Sequence, residues 1–317
     1  MPERFFEWYY IDIHQDDGYD LVFSLHTHPF MSQFNISILD AFVYFGKRQI
    51  FHKFLILPRD EMLKQGEGTV AFRNRKIRLD MEKRRAVFKV ESEKFHLDLT
   101  LQNEMEADLP LSMDLYEKNA EKSFEWKVFM PLARASGRFS YIDPQTNRQK
   151  MLTLTGRAYF DSNRGTINLK KEMDHWHWAK LYFKDALWIV GKVVDKRGRA
   201  VNIVVNCSPE QMSVDRQAKI AFQKNELHID CVFGNKHLHF KKEFILDDQR
   251  FLIATWPEMF SLPGKIIEAV AGVAVQKQSL RWLARILTNG RYFRKRWLAE
   301  AQNGEQVLIF GEEMLLK

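Results

Sequence analysis

Lys76-Ile-Arg-Leu-Asp-Met81, Ala86-Val-Phe-Lys-Val-Glu91 and Phe95-His-Leu-Asp-Leu-Thr-Leu101 are three short runs in which apolar and polar residues alternate. A period of two sends successive side chains to opposite faces of an extended strand, so each run has one face to bury and one to leave wet. Polar turn residues at Glu82-Lys83-Arg84-Arg85 set hairpin spacing. Upstream, Leu21 to His28 and Phe34 to Leu39 continue the pattern, with turn signals at Asp16-Asp17-Gly18, Phe45-Gly46-Lys47 and Arg73-Asn74-Arg75. Downstream it resumes at Ala186 to Val194, Ala200 to Asn206, Leu227 to Phe233, His237 to Phe244 and Phe251 to Thr255. Short strands at this spacing predict an antiparallel meander closing on itself. Each set is about the size of one small barrel. The residues therefore read as mainly β, an antiparallel β-barrel or sandwich, with two halves of similar architecture over residues 1–170 and 171–317.

One segment breaks the pattern. Ile266, Ile267, Val270, Val273 and Ala274, then Leu280, Leu283, Ile286 and Leu287, recur at helical spacing. This predicts a C-terminal helical insertion over about 265–302, broken at Asn289-Gly290 and followed by a closing strand at Gln306 to Phe310. Eight basic residues lie between Lys265 and Ala301 against Glu268 and Glu300, so most of the chain's net charge of +7 is concentrated there. With Trp282, Tyr292, Phe293 and Trp297 as interfacial aromatics, residues 265–301 are expected to meet an anionic membrane surface. Packing on the second barrel is the equal alternative. Nucleic acid is not an expected partner, because the basic stretch alternates with an apolar face instead of stacking aromatics on a sheet.

Composition narrows the field further. With 45% hydrophobic and 28% charged residues over 317 positions, the chain is too apolar for disorder. Two cysteines, Cys207 and Cys231, do not make a disulfide scaffold. No basic-then-apolar leader opens the sequence and no run reaches the roughly 18 apolar residues of a spanning helix. A cytoplasmic protein, peripheral on the inner membrane face, is the expectation. Phosphate loops, a Gly-x-Ser-x-Gly elbow and Cys-x-x-Cys are absent, so no cofactor is expected.

The chemistry-bearing stretch is Leu154-Thr-Gly-Arg-Ala-Tyr-Phe-Asp-Ser-Asn-Arg-Gly165. On a strand, Tyr159, Asp161 and Asn163 share a face. Directed into a barrel interior, that row would hold Asp161 in apolar surroundings, where burial keeps the proton on a carboxyl and makes it a general acid. The competing reading is a solvent-facing turn at the end of the strand.

This block, with the opening Phe6-Glu-Trp-Tyr-Tyr-Ile-Asp12 and the later Trp176-His-Trp178, resembles the carotenoid 1,2-hydratase (hydroxyneurosporene synthase) family. That family lies within a lipocalin-like (calycin-type) superfamily of paired β-barrels that also includes pericyclases. The resemblance implies an enzyme without cofactor that protonates a C=C bond of a hydrophobic polyene or terpenoid, with Asp161 and Tyr159 as catalytic residues. A non-catalytic lipid or pigment carrier of the same fold is the alternative. The family's upstream His-x-Trp matches Phe124-Glu-Trp126, so Trp126 is retained and the histidine is replaced by Phe124. Losing that candidate base disfavours trapping of a cation by water and points toward cyclisation or isomerisation. Phe124, Trp126, Asn163, Trp176, Trp178 and His26 are the expected substrate-binding residues. His26 and His28, His175 and His177, and His237 and His239 are paired at ligand spacing. No carboxylate at fixed spacing completes a site, and no metal is expected.

Overall fold

The computed structural model describes residues 5–29, 35–65, 68–73, 77–106, 111–116, 122–143, 145–251 and 290–316. In chain order, the first strands are β1 (Phe6–His14), β2 (Tyr19–His28), β3 (Ile36–Phe45), β4 (Arg48–Pro58), β5 (Met62–Gln65) and β6 (Thr69–Phe72). They continue with β7 (Ile77–Met81), β8 (Arg85–Glu91), β9 (Phe95–Asn103), β10 (Leu111–Asp114), β11 (Phe124–Ile142) and β12 (Gln149–Gly165). These strands form one antiparallel sheet in the order β4-β3-β2-β1-β12-β11-β9-β8-β7-β6-β5, with β10 pairing β11. A single helical turn, α1 (Leu169–Glu172), is capped by Asn168, whose side chain accepts from the Lys171 backbone N–H.

The second sheet contains β13 (Met173–Tyr182), β14 (Leu187–Asp195), β15 (Ala200–Cys207), β16 (Met212–Asp215), β17 (Lys219–Gln223) and β18 (Glu226–Asp230). It is completed by β19 (Lys236–Phe251), β20 (Gly290–Ala301) and β21 (Gln306–Leu316), in the order β16-β15-β14-β13-β21-β20-β19-β18-β17. The first sheet makes a nearly closed barrel and the second a half-barrel, a two-barrel lipocalin-like fold. The strands expected from alternation at 76–101 are β7, β8 and β9. Their buried residues, such as Leu79, Phe88 and Leu99, point into the first barrel.

Three apolar cores follow from this arrangement. One fills the first barrel and includes Ile11, Phe23, Phe88, Phe139, Ala158 and Phe160. Another fills the half-barrel with Leu181, Val190, Ile229, Trp297 and Ile309. The third joins the two sheets through Tyr10, Phe42, Tyr44, Trp126, Tyr159 and Phe310. This placement corrects the expected orientation of the Tyr159 row. Ala158 and Phe160 face the barrel interior, so the period of two turns Tyr159 outward against the second sheet.

The helical expectation fails over 290–301. Those residues form β20, hydrogen-bonded on one side to β19 and on the other to β21. Helical spacing ends before Gly290. Beyond it Phe293, Trp297 and Ala299 alternate with Tyr292, Arg294 and Arg296 in a β-favouring, aromatic-rich run. Four of the eight basic residues are thus on a central strand with carboxylates beside them. Arg291 pairs with Asp248, Arg294 with Glu312, Lys295 with Glu313 and Arg296 with Asp20. The rest of the expected insertion, 265–289, lies outside the described residues, as does the expected strand at 251–255 beyond Phe251. Among the described residues no helix is long and apolar enough to cross a membrane.

Candidate active site

Strand β12 is held between β1 and β11 for its last nine residues. The glycines that bracket the motif allow this close approach. A Cβ at Gly156 would lie 2.4 Å from the His14 carbonyl oxygen, and one at Gly165 would lie 2.2 Å from that of Ser123. Asp161 is opposite Tyr10 on β1 and Val128 on β11. Asn163 is opposite both Trp8 and Trp126.

A partly open cavity of about 180 Å³ lies between the two sheets at this point. Its walls include Asp161, Asn163, Phe124, Trp126, Trp176, Trp178 and His26, seven of the eight expected site residues. The eighth, Tyr159, is fully buried behind the wall and donates from its hydroxyl to Asp161 Oδ2 at 2.7 Å. Trp126 Nε1 donates to the same oxygen at 2.8 Å. Asn163 Nδ2 lies 3.5 Å from Oδ1, which has no closer donor among the described residues.

Burial dominates the electrostatics of Asp161 and pushes its carboxyl up to about 7. The Tyr159 and Trp126 hydrogen bonds pull the other way but carry no charge, while the Glu312 and Asp12 charges add to the rise. The carboxyl is therefore about half protonated at neutral pH and mostly protonated below it, so it can give up a proton. Phe124, 2% exposed, sits where a polar imidazole is absent. Its ring lies 5.4 Å from Phe6, 6.3 Å from Trp8 and 6.5 Å from Trp176.

The second sheet supplies residues that sequence reasoning missed. Arg294 is buried at the cavity, where its Nε donates to Glu312 Oε1 at 3.1 Å and its Nη2 to the Tyr292 hydroxyl at 3.0 Å. Burial opposes its charge, but Tyr292, Tyr44 and Glu312 outweigh that and keep it protonated. The period-two run Tyr292, Arg294, Arg296 was the available signal, hidden by the helical assignment. Tyr10, Ser24, Asp40 and Phe42 line the first-sheet wall, and Tyr10 was legible only as part of the opening motif.

Behind the cavity lies a separate ionic network. Lys180, fully buried, donates to Asp12 and contacts His14 Nε2 at 3.2 Å; His14 Nδ1 is 2.8 Å from Asp20 Oδ1. Burial, then the Lys180 charge, lowers His14 to about 4 and leaves it neutral.

The first histidine pair separates, whereas the rings of His175 and His177 stay 5.3 Å apart. His26 reaches the cavity and contacts Ser24 Oγ at 3.0 Å, while His28 packs against Phe5. His177 also reaches the cavity, and burial holds it down to about 4; His175 pairs with Asp174. Remote from both, Glu226, His228 and His237 on the β18–β19 hairpin are the described residues whose ligand atoms cluster as a metal would require. Glu226 on that hairpin supplies the carboxylate that fixed spacing in the sequence did not reveal.

No protein-family model matches the chain. A curated hydroxyneurosporene dehydrogenase from Chlorobaculum tepidum is 26% identical over 58 residues, 18% of this chain and 15% of that protein's length. Among solved structures, CghA with Sch210972 aligns at a TM-score of 0.66 and 9% identity, covering 99% of this chain and 89% of that one. A second CghA structure aligns at 0.62 with 9% identity over 100% and 89%. Kievitone hydratase from Nectria haematococca aligns at 0.52 with 9% identity over 100% and 91%. The fold is shared nearly end to end.

Proposed function

We propose that this protein is an enzyme acting on a small hydrophobic, unsaturated substrate in the cavity between the sheets, with Asp161 as general acid. The observation that carries this reading is a carboxyl pushed up to about 7 by burial, contacted by the neutral donors Tyr159, Trp126 and Asn163, in an aromatic cavity. The fold shared with CghA and kievitone hydratase supports a hydratase- or cyclase-like class.

The proton on Asp161 transfers to a substrate C=C carbon, forming a C–H bond and leaving a carbocation on the adjacent carbon. The electron pair of the old O–H bond stays on the carboxylate. Tyr159 and Trp126 stabilise that developing charge on Oδ2. Trp8, Trp176 and Trp178 offer π faces to the cation. The cation is then quenched by an internal double bond with loss of a proton, by proton loss alone, or by water. Each route returns one proton to Asp161. Phe124 supplies no base for water, which favours the first two. The cavity is smaller than the roughly 300–1,000 Å³ usual for ligand sites, so it takes a small molecule or the reacting end of a longer polyene.

The test is incubation with terpenoid and polyene extracts followed by mass analysis. Unchanged mass with a new retention time supports cyclase or isomerase, and a gain of one water supports hydratase. Asp161→Asn should lower turnover by about 10²–10⁴-fold. Recovery of a bound but unaltered molecule would make the protein a carrier.

A further inference from the structure

Two hydrogen-bond donors at the cavity have no hydrogen-bond partner among the described residues. The Tyr10 hydroxyl and the Trp178 indole Nε1–H are both buried without a partner, and both residues line the cavity. Tyr10 is only 6% exposed, and its ring meets that of Trp178 edge-on at 5.8 Å. Burial, then the charges of Glu312 and Asp12, raise the Tyr10 hydroxyl well above its ordinary value, so it stays a donor. An indole N–H can only donate. Buried polar groups are almost always satisfied, and a few placed donors in an otherwise apolar pocket orient its ligand.

Resting on the functional reading above, we propose that the substrate carries an acceptor oxygen, such as a ketone, enone or enol ether, which receives hydrogen bonds from Tyr10 and Trp178. Tyr10 stands directly across the strand pair from Asp161, so this oxygen would fix which double bond meets the acid. A plain hydrocarbon polyene would leave both donors unsatisfied. A site built around hydrogen-bond donors discriminates strongly against an analogue that lacks the acceptor.

The experiment compares geranylacetone with the hydrocarbon of the same carbon skeleton, by equilibrium dialysis with gas-chromatographic detection, on the full chain. The ketone should bind at least tenfold more tightly. Tyr10→Phe, which removes one oxygen atom, and Trp178→Phe should each cut that ratio several-fold, with circular dichroism reporting that the fold is kept. Equal binding of the two probes, or a ratio that survives both substitutions in folded protein, would overturn the proposal. No turnover is read here, so its failure is distinct from failure of the acid role. Binding of neither probe would overturn the apolar-cavity reading and this proposal with it.

Discussion

Asp161 and Asp12 lie on adjacent strands, both buried between the sheets, yet burial leads them to opposite ends. At Asp161 burial is opposed only by neutral donors, Tyr159 and Trp126, and the carboxyl rises to about 7. At Asp12 burial pushes the same way, but the Lys180 charge and then His14 overcome it, and the carboxyl is lowered. Asp12 is opposite Tyr159 and Asp161 is opposite Tyr10, so the two carboxyls are on neighbouring strands, offset by two residues. Desolvation alone does not decide protonation; the charge of the partner does. One carboxyl is left able to give a proton, and the other cements the two sheets.

Breaking the cement should produce the largest effect. Lys180→Met strands Asp12 as a buried charge and should destabilise the protein by about 3–5 kcal/mol, read by urea unfolding. Adding Asp12→Asn should recover much of that loss. A Lys180→Met variant as stable as wild type would show that the pair does not join the sheets.

The reverse is expected at Asp161. Its raised value means the folded state holds an extra proton between the ordinary 3.8 and about 7. Stability should therefore fall as pH rises through that window and level off above it. Asp161→Asn should remove that slope while costing little stability at acidic pH. An unaltered slope in the variant would assign it to another group.

A finer test removes one neutral donor. Trp126→Phe deletes a hydrogen bond that favours the charged carboxylate, so the pH above which activity declines should move up by about one unit. A downward move would reverse the sign of the argument. The smallest effect is expected from Phe124→His, which offers a base beside the cavity and should raise water-addition product several-fold relative to cyclised product. An unchanged product ratio in folded protein would remove Phe124 from the account.

Much of this was legible in the sequence, for identifiable reasons. Alternation marked β7, β8 and β9 because each has one buried face. Tyr159, Asp161 and Asn163 could be placed together because the period of two is fixed. Which face of β12 looks into the barrel was not legible, because β12 is covered on both sides: Phe160 and Tyr159 are both fully buried, against different cores. Arg294 was missed because a helical run before Gly290 was extended across a residue where the period changes. Lys180 was missed because a lysine inside an aromatic strand reads as solvent-facing until its partner, 168 residues away, is known.

The central claim is that Asp161 holds its proton near neutrality because it is buried among neutral donors. Carbon-13 labelling of aspartate carboxyls, with NMR titration of the wild type and Asp161→Asn, measures this directly. The account predicts one carboxyl resonance titrating near pH 7 that is absent from the variant, while Asp12 remains ionised below its ordinary range. Titration of Asp161 at or below about 4, the range of an unperturbed aspartate, would contradict it.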